Sequence, residues 1–218
     1  MDAETNAWVR GVEAVCRRER VEWVLHGAEV LREYGGEDVA RAFEVLHGEV
    51  PERVWRSMVA DWARWQFLAR GGAGTLYLDT DTRLARGRLP DFRWLPQGLH
   101  CHGEGFDPGL PAAACMFVAG AAGAQVAELA GRLATGKVLG FLDLDGDGRR
   151  ALYADVLAGF RLVYWLGPGW MRKVVVPQAE ARGLHVHLLR QELASCRNEG
   201  AWIYHVGRGD WTPAKRAV

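Results

Sequence analysis

The chain lacks excess charge of either sign, paired cysteines and any long apolar run. Its 218 residues carry 27 Lys and Arg against 27 Asp and Glu, a formal net charge of zero. A uniformly basic protein that coats nucleic acid or an anionic membrane is thereby excluded, although a local basic groove is not. The four cysteines, Cys16, Cys101, Cys115 and Cys196, stand far apart and form no C-x-x-C pair. That spacing argues against a disulfide-stapled scaffold or a zinc ribbon and suits a reducing compartment. No stretch reaches the roughly 20 apolar residues of a membrane span. The opening segment MDAETNAWVRGVEAVCRRERVEW has charges every few positions, unlike the apolar core of a secretory leader. Internal repeats and low-complexity tails are missing too. The expectation is a cytoplasmic globular protein with no membrane association.

What is present is ample for a core: 49% of residues are hydrophobic and ten are tryptophan. The first 70 residues read as helices. Val9, Val12, Val15 or Cys16, then Trp23, Val24 and Val30 recur at three- and four-residue steps, and Tyr34-Gly35-Gly36 is expected to end that run. A second helix fits EDVARAFEVLHG. A third begins near Pro51, a residue suited to a first helical turn, and continues to the glycines at 71 and 72. Val54, Met58, Trp62 and Trp65 fall on one face of it, which favours a core role over a base-stacking platform. The N-terminal helices could also serve as a docking surface for a protein partner.

After GGAG at 71–74 the pattern changes. Strand candidates are TLYLDT, GLHCHGEG, ACMFVAG, KVLGFLDLD, FRLVYWLG, LHVHLL and AWIYHVG, with helical pieces AQVAELAGRLATG and RRALYADVLAG between. Strands alternating with helices of about ten residues predict an α/β fold. The expected organisation is a helical region over 1–70 followed by an α/β domain over 71–218. Its sheet is expected to be largely parallel, Rossmann-like and flanked by helices.

GFLDLDGDGRRAL at 140–152 places Asp143, Asp145 and Asp147 within five positions. Like charges so close repel unless a cation or proton lies between them. If VLGFLDLD is a strand, Asp143 and Asp145 sit at its carboxyl end with side chains on one face. Such a pair is a natural Mg²⁺ site. The alternative is an acidic turn, which D-G-D-G makes with or without a metal.

Glu104, in HGEGFDP, follows the candidate strand GLHCH. Glu104-Gly105 together with Asp143-x-Asp145-x-x-Gly148-Arg149 resembles the TOPRIM domain of primases, topoisomerases and small nucleases, over about residues 97–168. The resemblance implies metal-dependent phosphoryl transfer on nucleic acid. It implies Mg²⁺ or Mn²⁺ held by Asp143, Asp145 and Glu104, with Glu104 also a candidate acid or base. Gly148 and Arg149 would face a phosphate.

Other patterns compete. D-x-D-x-D-G also opens an EF-hand loop, but its twelfth position is Ala154 where a bidentate Glu is needed. FVAGAAGAQVAELAGRL followed by KVLGFLDLD resembles a Rossmann mononucleotide unit, which implies a non-catalytic nucleotide-binding or interaction module. Starting instead at VLGFLDLDGD, the layout is similar to the PIN/NYN nucleases. Finally, His185-Val-His187 with Tyr204 resembles the metal-binding histidine pair of rolling-circle replication nucleases, and His100-Cys-His102 repeats the spacing.

Overall fold

A computed structural model describes residues 3–25, 29–103, 111–157, 165–195 and 199–205. Three long helices come first: α1 (Ala3–Glu19), α2 (Val30–Glu49) and α3 (Glu52–Gly71). The first expected run is therefore two elements. Arg20 takes a left-handed φ of 58° and breaks it, and Val21–Leu25 has no regular structure. Gly36, at φ 72° and ψ −175°, is not helical and divides α2 into two helical segments where Tyr34-Gly35-Gly36 was expected to end a run, and the second segment, the expected EDVARAFEVLHG helix, draws Val39, Phe43 and Leu46 into the core. α3 ends at Gly71.

Beyond α3 come β1 (Leu76–Leu78), β2 (Thr82–Leu84), β3 (Gly98–Gly103) and β4 (Pro111–Ala119), then α4 (Gly120–Leu139) and α5 (Gly146–Leu157). A helical run follows, made of α6 (Pro168–Trp170), a π-helical turn Met171–Val175, and α7 (Val176–Glu180). The chain closes with β5 (Val186–Leu188), β6 (Ala194–Ser195) and β7 (Ile203–His205). The strand expected over 160–167 lies mostly outside the described residues.

The strands form two small sheets, β1-β4-β3-β5 and β2-β7-β6. The fold is α/β with N-terminal helices, but the sheets are mixed and not largely parallel. β4 runs antiparallel to both β1 and β3, and β2 antiparallel to β7; only β3–β5 and β6–β7 are parallel. For β3 and β4 the reason is connection length. A handful of residues joins β3 to β4, too few for the crossover that parallel neighbours need.

The other correction concerns KVLGFLDLD, which is not a strand. Val126, Ala130, Ala134 and Val138 recur every four residues, all buried, so α4 continues through Leu139 and ends in a turn. That apolar ladder packs on α3, while α4 also lies across β3 and β4. Trp62 and Trp65 are wholly buried there, as expected. Trp62 donates its indole N–H to Thr135 Oγ1 (3.2 Å), and Gln66 donates to the Gly131 carbonyl (3.0 Å). Trp65 donates to the Leu166 carbonyl at 2.9 Å. One continuous core includes α2, α3, α4, Leu99, Met116 and Met171. A smaller cluster of Cys115, Leu189, Ala194 and Ile203 fills the space on the sheets' other side, with Leu76, Leu78 and Leu84 against it. The cysteines Cys16, Cys101 and Cys115 are free.

Candidate metal centre

The turn between β1 and β2 reads Asp79-Thr80-Asp81. It is closed by the Thr82 N–H donating to the Asp79 carbonyl (3.1 Å) and tied to β4 by the Asp79 N–H donating to the Ala114 carbonyl (2.8 Å). Thr82 pairs in register with His205, so β7 delivers an imidazole beside the turn. One carboxylate oxygen from Asp79, one from Asp81 and one ring nitrogen of His205 lie within 4.8 Å of one another. All three residues are half-buried. Among the described residues no other trio of potential ligands converges in this way. Two carboxylates and an imidazole so arranged can in principle hold a divalent cation.

Each ligand is braced from behind. The Tyr77 hydroxyl donates to Asp79 Oδ1 at 2.6 Å. The buried Arg64 reaches from α3 to Asp61 (2.8 Å) and to Asp79 (3.6 Å). His205 Nε2 lies 3.1 Å from Asp81 Oδ1. Burial pushes the Asp61 carboxyl up to about 6, against the pull of Arg64 and with the Asp79 charge adding to the rise. For Arg64, burial disfavours the charge, but Asp79, Tyr77, Asp61 and Asp81 more than reverse that and keep the guanidinium protonated. Burial first, then the Asp79 charge, drives the Tyr77 phenol well above its ordinary value.

A second histidine faces the same place. The pairing of β3 with β4 slips between Cys101 and His102, and such an irregularity re-aims a side chain. His100 stacks on His187 with centroids 4.7 Å apart, whereas His102 meets His205 edge-on at 5.7 Å. His102 is buried, and burial, with His205 adding, lowers it to about 4, so the ring is neutral near pH 7. Its Nδ1 has no hydrogen-bond partner, and neither has Thr82 Oγ1, both buried. Unsatisfied buried polar atoms are uncommon in folded proteins. Two of them around one trio of ligand types fit a centre that takes up a further group.

The sequence-expected residues are placed elsewhere. Asp143 and Asp145 lie in the turn between α4 and α5, not at a strand end, and both are exposed. The burial that argued for a cation between them is not there. Asp145 Oδ1 accepts the Gly148 N–H at 2.7 Å and so caps α5. Asp147 pairs with Arg150, and Arg149 pairs with Glu49 of α2 at 3.0 Å. Glu104 lies outside the described residues, so its distance to the aspartates is not part of the geometry. His185 and His187 have ring centroids 5.8 Å apart, and His187 Nε2 sits 3.2 Å from the Gln97 carbonyl.

Asp79 and Asp81 escaped the sequence reading, although TLYLDTDT contains the same D-x-D after an apolar strand that drew attention at 143–145. The β-strand candidate stopped at Thr80, and His205 comes from more than a hundred residues away. The chain matches no known protein family, no curated protein and no solved structure. No helix among the described residues is long and apolar enough to cross a membrane.

Proposed function

We propose that the chain is a metal-dependent phosphoryl-transfer enzyme whose centre is Asp79, Asp81 and His205, and not the acidic turn at 143–147. The convergence of those three donors beside two unsatisfied buried polar atoms carries the reading. A set of two oxygens and one imidazole nitrogen suits Mn²⁺ or Zn²⁺ better than Mg²⁺, which favours oxygen and water. Bound there, such an ion would lower the pKa of a coordinated water and offset charge on a phosphate oxygen.

The protein's own groups have definite tasks in this scheme. Tyr77 and Arg64 fix Asp79, so a ligand position is held before anything binds. Neutral His102 offers Nδ1 as a fourth position or as the acceptor for a bound water. The reaction is hydrolysis: water oxygen bonds to phosphorus and gives up a proton to solvent, the ester P–O bond breaks, and the leaving oxygen takes a proton from solvent.

Calorimetric titration of Mn²⁺ and Zn²⁺ into the full chain near neutral pH tests the centre. One saturable site is expected, weakened at least about tenfold by His205→Ala or Asp81→Asn, with helicity retained. Asp145→Asn should bind as the unaltered chain does, and hydrolysis of an activated phosphodiester should follow the same order. Loss of binding in Asp145→Asn alone would move the centre to the acidic turn. Failure of the unaltered chain to bind either ion would remove the metal altogether.

A further inference from the structure

The smaller sheet turns an arginine-rich aromatic face outward. Tyr204 follows buried Ile203 in β7 and points the other way, and Trp202, half-buried just before the strand, rests against the smaller apolar cluster. Arg83, opposite Tyr204 in the ladder, stacks over its ring at 4.7 Å. Arg86 and Arg88 both lie 4.6 Å from the Trp202 ring. Arg190 approaches Trp94, an indole 53% exposed, at 5.8 Å. Trp94 and Trp202 line one open cleft of about 350 Å³ together with Arg88, Pro90, Asp91 and Leu193.

The charge there is concentrated although the whole chain is neutral. Four arginines converge on three aromatic rings, while Asp91 is engaged by Arg93 at 2.8 Å and Glu199 by Arg83 at 3.3 Å. Arg86, Arg88 and Arg190 are exposed, and no ion pair engages them among the described residues. A guanidinium over an indole holds both groups in place, leaving N–H donors for phosphate and a ring for a base.

We infer that this face binds single-stranded nucleic acid, with a base entering the cleft between Trp94 and Trp202 and the backbone following Arg83, Arg86, Arg88 and Arg190. Stacking surfaces combined with cations describe how unpaired strands are held without sequence preference. Duplex DNA hides its bases and offers only phosphates, so the exposed indole would have no partner there. The cleft and the proposed centre share the smaller sheet: His205 follows Trp202 by three residues, with its side chain on the face of β7 that Ile203 shares. This assignment of substrate class rests on the metal-centre reading for cleavage, but binding does not depend on it.

The test uses the full chain in EDTA, so no metal contributes. Fluorescence anisotropy is read with labelled oligothymidine and oligouridine of about twelve nucleotides, and with a duplex of equal length, at about 50 mM NaCl and upward. Single strands of either sugar are expected to bind more tightly than the duplex, and the tighter of the two names the substrate. Trp94→Ala should weaken binding about tenfold. Arg86→Ala with Arg88→Ala should flatten the log–log salt slope by about 1.4, for two phosphate contacts at about 0.7 each. All three positions are exposed apart from half of Trp94, so the fold should survive the changes. The inference is overturned if neither single strand binds, if the duplex binds as well, or if the variants bind like the unaltered chain. A protein that takes up Mn²⁺ yet ignores both oligonucleotides removes this inference alone. The reverse pattern leaves the surface standing and removes the metal centre.

Discussion

Arg64 sits with its side chain about one-tenth exposed, one helical turn after Asp61 and across the gap from Asp79. Removing one member of a buried ion pair leaves its partner charged and uncompensated, which costs about 3–5 kcal/mol. Arg64→Leu is expected to destabilise the protein by that order. The loss should depend on pH in a definite direction. The folded-state value of Asp61 is about 6, above the ordinary 3.8, so the native protein binds the proton more tightly than the unfolded chain does. Stability from this group is present in acid and is lost as pH rises through about 6. Without Arg64 that rise should be larger. The deficit of Arg64→Leu, measured by urea denaturation, should therefore be smaller near pH 5 than near pH 8. A deficit that is the same at both would mean that Asp61 is solvated and not held in the pair. At this scale the sequence misdirects by density. Three aspartates in five positions looked like the place for a cation, yet all three are exposed, Asp145 spends an oxygen on a helix cap and Asp147 pairs with an arginine. The sparser Asp79 and Asp81 are the ones a tyrosine, a guanidinium and two histidines surround.

Among the elements, α4 decides how well the sequence could be read. Its glycine-led start after β4 and its amphipathic repeat were legible because Val126, Ala130 and Ala134 keep a helical period. Its end was not. Lys137-Val138-Leu139 has the composition of a buried strand, and only the fourth step of the repeat, Val138, shows that the helix is still running. Strand direction was hidden for another reason: alternation in a short strand fixes which face is buried but not which neighbour it pairs with. The packing of α4 also makes a sharp prediction from two glycines. A Cβ on Gly123 would stand 2.4 Å from the Gly98 carbonyl oxygen, where backbone faces backbone and neither side can yield. Gly136, on the same helix, has open space around it. Gly123→Ala should lower stability by about 1–3 kcal/mol, and Gly136→Ala should raise it by roughly 0.5–1 kcal/mol. Thermal denaturation followed by circular dichroism separates the two. Equal effects would mean that α4 does not touch β3 as closely as Gly98 and Gly123 place it.

For the molecule as a whole, the proposed ligands come from both sheets. Asp79 follows β1 of the larger sheet, and His205 ends β7 of the smaller one. The two are otherwise joined through a lean apolar cluster of four fully buried residues, Cys115, Leu189, Ala194 and Ile203, against the far larger core on the helical side. An ion bound across that joint binds the native state only, because the unfolded chain does not bring the turn and β7 together. Linkage then gives a definite size: at a hundred times its dissociation constant, a ligand of the native state adds about 2.7 kcal/mol. For a chain of this length each kcal/mol raises the midpoint by roughly 2–4 °C. Saturating Mn²⁺ should thus raise the melting temperature by roughly 5–10 °C, and His205→Ala should abolish the shift while melting as one transition without metal. A shift that survives His205→Ala would place the ion within one sheet or at the acidic turn, because only a site that spans the two sheets needs β7 to supply its ligand.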